Sequence, residues 1–528
     1  MPKLIRITIP LILWTAAVSC IVPFDGAVCD SLIVGRWIGF GAVMLTGIVL
    51  TALMALFSGG RPTLLSATAL SWPLAAAGLT IAVHCMLQVA GIVGAPAGSA
   101  FKVVATFDNP AGVAAALVVS WPFCAYLTIG HRRSLLFQCV TFAVCALVLA
   151  VIGSRAGLMS LGACFATFML LSSKIRRPAL TVTVLLALAC IAAFVIWMSL
   201  HKTGSNSGRI LILDVCNSMF RDAPLTGHGF HGFRREYMLY QAELLKRPDM
   251  KTVSMLADNV THPLNGYALA AVNFGVSGII LLVVAMALFV SYAIRHRSME
   301  SIAAVSVLAG TGVMALLSYP MRYPLTTLAL VAAICIMSGN LVSNIPDTSR
   351  TLLCITACVT GAAGLAVFIP WAVNQHRWGQ AAREFELNGC TVELLEKYDR
   401  LYLSLEHDPY FLYNYAYVLS QSGDSRKAAM AARDSFEQMA NYDTALLLAD
   451  TEKECGEHTL TESHYRLASD MCPVRFMPLY SLFMLYEEQG RKDEMNEIGK
   501  LILSKPIKVQ SDTVRRIRLS VRQRMMVE

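Results

Sequence analysis

Two arginines and a histidine stand out because each sits where its chemistry is costly or unusual. Arg155 lies in Gly153-Ser154-Arg155-Ala156-Gly157, at the end of an apolar run with no other charge. A charge near the centre of a bilayer costs about 3 kcal/mol or more, so its retention is informative. One reading is an interfacial anchor that snorkels to the headgroups. The other is a functional cation, because small residues on both sides allow neighbouring helices to close in and turn the guanidinium toward the bundle. Arg209 follows in Ser205-Asn206-Ser207-Gly208-Arg209, and His262 in Asp258-Asn259-Val260-Thr261-His262-Pro263-Leu264-Asn265. Between them stands Pro224-Leu225-Thr226-Gly227-His228-Gly229-Phe230-His231-Gly232-Phe233. Arginine keeps its charge and grips anionic oxygens with a planar fork. Histidine moves protons near neutrality, although a lone histidine at a helix start is more often structural. Asp258 competes for the base role if burial raises its pKa, and Asn265 could orient a hydroxyl. His228 and His231 have no carboxylate or thiol beside them in the glycine-rich turn, so no metal or other cofactor is expected.

The elements that must position these residues follow from composition. The 528 residues are 56% hydrophobic and 15% charged, with mean hydropathy +0.57. Ordinary globular domains carry about 25% charge, so lipid is the solvent for much of this chain. Residues 1–372 hold 23 Lys+Arg and 11 Asp+Glu, whereas residues 373–528 hold 20 and 24. Two regions with different solvents are implied, a polytopic membrane domain at 1–372 and a soluble domain at 373–528. Fifteen cysteines without regular spacing argue against a disulfide framework.

Apolar runs long enough to span occur at about 5–24, 32–57, 66–92, 110–129, 134–153, 156–173, 179–199, 264–292, 300–318, 324–343 and 352–371. Lys3 and Arg6 before the first run read as the flank of an uncleaved helix, because another run follows at once. With the N-terminus inside, the cytoplasmic segments hold eleven Lys or Arg. The short outer loops hold four, namely Arg36, Lys102, Arg155 and Arg322. Eleven spans place both the long loop 200–262 and the C-terminal region on the outer, periplasmic face. Aromatics and mixed charge in that loop predict an ordered structure.

The soluble region repeats. Gly389, Gly423, Gly456 and Gly490 recur at intervals of 34, 33 and 34 residues, with helix-forming stretches on either side. This resembles tetratricopeptide repeats, which implies either a concave surface for a protein partner or a compact helical cap. Nothing in the composition points to nucleic acid.

The membrane motifs resemble the O-antigen ligase family. The likeness rests on Gly-Ser-Arg-Ala-Gly near a helix end, Gly208-Arg209, Pro-x-x-Gly-x-Gly-x-x-Gly-x-Phe, and a histidine before a helix with Gly275-x-x-Gly278. Thr106-Phe107-Asp108-Asn109-Pro110 adds to it. The resemblance implies an all-α membrane bundle of the C type of glycosyltransferases. It also implies a glycosyltransferase that moves a glycan en bloc from an undecaprenyl-diphosphate carrier at the periplasmic face of a bacterial inner membrane. The acceptor would be a lipid A-core sugar or a protein Ser, Thr or Tyr. Arg155 and Arg209 would grip the diphosphate, His262 would be the general base, and Asn265, Asp258, Arg322 and Lys102 would line the substrate. One departure stands out. His262 precedes Gly275 by about two residues more than the family pattern, and Asn273 replaces the usual acid two positions before that glycine. A polymerase of the same superfamily would use the same donor. A transporter would want charges through the midplane and paired broken helices, whereas these cluster at one face. A scaffold recruiting partners through its repeats would leave Arg155 unexplained.

Overall fold

A computed structural model describes the chain apart from residues 1, 25, 27, 58–65, 97–98, 173–195, 197–202, 251–252, 344–345 and 527–528. The fold is all-α, and no strand occurs among the described residues. The first six helices are α1 (Pro2–Ile21), α2 (Val34–Phe57), α3 (Ala67–Val89), α4 (Pro110–Leu127), α5 (Ser134–Val151) and α6 (Arg155–Ser172). Next come α7 (Thr203–Asp222), α8 (Gly232–Leu245), α9 (Gly266–Arg295), α10 (Met299–Leu317), α11 (Pro324–Ser343) and α12 (Asp347–Asn388). Among the described residues, eight helices are long and apolar enough to cross a membrane. Two further stretches, Thr8–Ile21 and Pro324–Ser338, are apolar but shorter. Ten of the eleven expected runs thus coincide with helices. The run at 179–199 lies almost wholly outside the described residues.

The chain divides into two compact units. The membrane unit comprises residues 1–201, 264–266 and 281–380. Its centre is α4, buried from Val113 to Phe123. Lipid tails are as apolar as leucine, so helices in a membrane associate by close packing rather than by escape from water. Small residues provide it here. A Cβ on Gly78 would fall 2.4 Å from Ser120 Cβ, and one on Gly310 would fall 2.1 Å from Cys164 Sγ.

The second unit comprises residues 202–263, 267–280 and 381–528. Its C-terminal helices are α13 (Val392–Leu405), α14 (Pro409–Ser422), α15 (Ser425–Gln438), α16 (Tyr442–Glu454), α17 (His458–Met471), α18 (Met477–Glu488), α19 (Lys492–Ser504) and α20 (Asp512–Met526). Pairs α14/α15, α16/α17 and α18/α19 pack together, and the four periodic glycines sit at the turns with φ between 68° and 84°. A residue with a Cβ resists that left-handed conformation, which explains why glycine recurs there. Helices α7 and α8 belong to this same unit. The compact units therefore do not follow the boundary at residue 372, because the long loop is built into the helical hairpins. Gln241 donates to the Met471 carbonyl at 2.7 Å, and Asn259 Nδ2 donates to Asp443 Oδ2 at 2.8 Å. The described residues of the loop form helices and turns, in line with the expectation of an ordered segment.

Candidate active site

The glycine-rich turn and the Gly-x-x-Gly helix form one clamp. Helix α9 breaks at Gly275, whose φ of 62° and ψ of −153° are open to glycine almost alone. A break in a helix strands the carbonyls before it and the amides after it, and buried backbone groups must find partners. The turn supplies them. The N–H groups of His228 and Gly229 donate to the carbonyls of Val272 and Asn273, each at 2.9 Å. In return, Val276 and Ser277 donate to the carbonyls of Pro224 and Leu225 at 2.8 and 3.3 Å. The approach is too close for side chains. A Cβ on Gly227 would lie 2.4 Å from the Asn273 carbonyl carbon, and one on Gly275 would lie 2.6 Å from that of Leu225. Buried Asn273 accepts the Phe233 N–H at 3.0 Å. The motif spacing is thus architectural.

His228 belongs to that architecture. Its Nδ1 lies 2.7 Å from Glu236 Oε2 and its Nε2 lies 2.8 Å from the Met219 carbonyl. Both ring nitrogens are engaged, so neither is offered to a metal. His231 precedes the first residue of α8 with φ of 68°, and its side chain makes no capping bond there. Asp258 makes an ion pair with Arg475 at 2.8 Å and accepts the Asn259 N–H at 2.9 Å. Burial pushes its carboxyl up, but the Arg475 hydrogen bond, the Asn259 amide and the Arg475 charge together hold it below the usual carboxylate range. That is opposite to the shift a neutral-pH base requires. Asp258 also borders a cavity of about 490 Å³ with Tyr442, Arg475 and Lys508. Arg209 is half-buried on α7, which buries Leu211, Val215 and Met219. His262, also half-buried, sits in the bend before α9, two residues ahead of Leu264 with φ of 55°.

In the membrane unit, Arg155 opens α6 just after the turn from α5. Gly153 adopts φ of 69°, the Ser154 hydroxyl accepts the Gly157 N–H, and a Cβ on Gly157 would lie 2.9 Å from Ala114 on α4. The small residues flanking Arg155 therefore close the α5–α6 hairpin onto the start of α4, which Asn109 caps at 2.8 Å.

The same end of this unit carries a polar platform. Arg36, at the start of α2, is fully buried, donates to the Thr106 carbonyl and stacks on Phe107 at 4.4 Å. Tyr323 donates to Asp108 at 3.0 Å, and Arg322 lies 3.8 Å from the same carboxylate. Gln88 Oε1 accepts the N–H groups of Val104 and Ala105, and Ala105 has φ of 50°. Asn265 joins this end through a 3.0 Å bond from its amide to the Leu316 carbonyl. Lys102 is exposed in the loop that precedes the platform. Within this unit, Arg155, Asn265 and Arg322 therefore share one end, whereas Arg209, His262 and Asp258 belong to the second unit. Sequence reasoning noted Arg36 only as one of four outer-loop charges. A charge at the mouth of an apolar run was the available signal.

Three non-glycine residues have positive φ among the described ones: Ala105, His231 and Leu264. His231 and Leu264 lie inside segments singled out by motif and Ala105 directly precedes one, and such strain costs about 1–3 kcal/mol and concentrates at functional sites.

Residues 140–283 match the family model described as O-antigen ligase. The chain carries an O-antigen ligase domain. The match contains Arg155, Arg209, Asp258, His262, Asn265, the glycine-rich turn and the Gly275 break. Arg36, Lys102, Asp108 and Arg322 fall outside the O-antigen ligase match, so the platform is a feature of the flanking helices. The comparison with curated proteins returned no match. Multi-pass membrane insertion and ligase-type glycan transfer follow from the helices and the domain together.

Proposed function

We propose that the protein transfers a glycan en bloc from an undecaprenyl-diphosphate carrier to an acceptor hydroxyl at the periplasmic face. The supporting observation is that Arg155, Arg209 and His262 all lie within the O-antigen ligase match. The acceptor is a lipid A-core sugar or a protein Ser, Thr or Tyr. Its oxygen attacks the anomeric carbon as the glycosidic C–O bond breaks, and the lipid diphosphate leaves with the electron pair. Arg155 and Arg209 stabilise the charge that gathers on that diphosphate. A diphosphate is a good leaving group and needs no acid, but a hydroxyl is a poor nucleophile, so His262 accepts its proton. Asn265 orients the acceptor beside the platform. The helical hairpins act indirectly, by holding the loop that carries Arg209 and His262. The N-terminus is cytoplasmic in this reading, and the hairpins face the periplasm of a bacterial inner-membrane protein.

The test uses purified protein with a lipid-diphosphate glycan. Arg155→Ala and Arg209→Ala should each lower transfer about 10²–10³-fold and weaken donor binding. Lysine at either position should stay well below wild type, because a point charge does not replace the fork. Lysine variants with near wild-type rates at both positions would remove the diphosphate clamp. Which molecules lose glycan in a strain lacking the protein identifies the acceptor.

A further inference from the structure

The last 24 residues reverse the charge of the C-terminal region. Residues 373–504 hold 13 Lys+Arg against 22 Asp+Glu, whereas residues 505–528 hold seven against two. Five of those seven lie on α20, at Arg515, Arg516, Arg518, Arg522 and Arg524. Ile517 and Val521 anchor the helix through its buried face. Two of the arginines are structural. Arg524 pairs with Glu487, and Arg518 donates to the Leu503 carbonyl at 2.6 Å. Arg515, Arg516 and Arg522 are exposed and have no carboxylate partner among the described residues.

Arg515, Arg518 and Arg522 follow the spacing that places side chains on one helical face, about 10 Å from first to last. That face lines a groove of about 680 Å³ together with Ile507, Gln510, Ser511, Val514 and Leu519, and Asp512 is its one acid. Cations gathered in a concavity focus potential, and guanidinium forks match phosphate oxygens. A bilayer surface would call for a convex basic face with apolar side chains free to insert. Here the cations line a concave groove, Ile517 and Val521 are buried in protein, and Leu519 is the exposed apolar side chain that α20 adds to the lining.

We infer that this groove binds a soluble, multiply phosphorylated ligand of about saccharide size. The inference does not depend on the transfer reaction proposed above, because it concerns a different surface and is read by binding alone.

The experiment titrates inorganic tripolyphosphate into the detergent-solubilised full chain by calorimetry. Wild type should bind saturably. Arg515→Gln and Arg522→Gln should each weaken binding about tenfold, as loss of a charge-assisted hydrogen bond does. Arg516→Gln should leave binding unchanged, since that residue is exposed on the same helix but does not line the groove. Thermal melts run alongside should coincide, because the two altered groove residues hold no other group in place. Failure of wild type to saturate would overturn the inference. So would an equal loss in Arg516→Gln, which would mean a diffuse field. Displacement by short-chain phosphatidylglycerol at equal concentration would assign the face to lipid headgroups and also overturn it.

Discussion

In the membrane unit, glycines let helices close in at several crossings around the Trp121 aromatic cluster; in the second unit, stacked tyrosine and phenylalanine rings fill the space between helices. Gly78 meets Ser120, Gly157 meets Ala114, and Gly310 meets Cys164 in the first. In the second, Tyr398, Phe411 and Tyr415 stack on one another, and ring hydroxyls donate, Tyr398 to Asn414 at 2.7 Å and Tyr465 to Asp450 at 2.6 Å. The difference follows from solvent. Water rewards removal of a large ring from contact with it. Lipid gives no such reward, so contact must come from proximity. The candidate residues are divided between them: Arg155 lies in the small-residue unit, and Arg209 and His262 lie in the aromatic one.

The sharpest way to break this division of labour is at His262. His262→Ala should lower turnover about 10²–10⁴-fold with donor binding intact, and the acid limb of the pH–rate profile should vanish. Asp258→Asn, measured beside it, should keep that limb. An acid limb that survives the histidine change and disappears with the aspartate change moves the base to Asp258. Next in size is Gly275→Ala, which sets a Cβ against the Leu225 carbonyl at a glycine-only backbone. Destabilisation of about 3 kcal/mol is expected, visible as a lower unfolding temperature; an unchanged temperature would mean the clamp does not hold the loop. The counterpart in the membrane unit is Gly310→Ala, which should cost about 2 kcal/mol by overpacking. Cys164→Ala in the same chain should recover most of it, and two additive losses would remove close approach as the explanation. The smallest effect is at the Asp258–Arg475 pair. Its side chains are about half exposed, so the pair is worth roughly 0.5 kcal/mol. Asp258 titrates lower in the folded chain than the ordinary 3.8. The contribution is therefore complete above 3.8 and is lost as pH falls through the folded value. Asp258→Asn should remove that acid-side slope, lowering stability by roughly 0.5 kcal/mol above pH 6 and leaving it unchanged below the folded value.

The helices of the membrane unit were legible because a span is a composition signal. Ten runs could be marked before any coordinate, and the 34-residue glycine period marked the hairpin turns. The family was legible from the order of short motifs. What those motifs do was less so. Pro224-x-x-Gly227-x-Gly229 and Gly275 read as a site signature, yet their spacing serves backbone bonds between segments more than 40 residues apart. Arg36 escaped because a charge beside an apolar run looks the same whether it faces headgroups or lies beneath a loop. Asp258 was weighed as a base on the premise of burial, and Arg475, over 200 residues away, reverses the direction. Pairings over such distances leave no periodicity for a single sequence to show.

The clamp between the glycine-rich turn and the broken helix has a consequence for how the chain tolerates change in length. It ties the two ends of the segment from Gly229 to Val272 into a closed ring. Residues added within the ring move none of the four bonds that close it. Ring closure depends only weakly on length, about 0.6 kcal/mol per doubling. A residue inserted between Pro224 and Gly229, or between Val272 and Ser277, would instead shift donors past their acceptors. Length can drift inside the ring while the ends stay fixed, and His262 lies inside it.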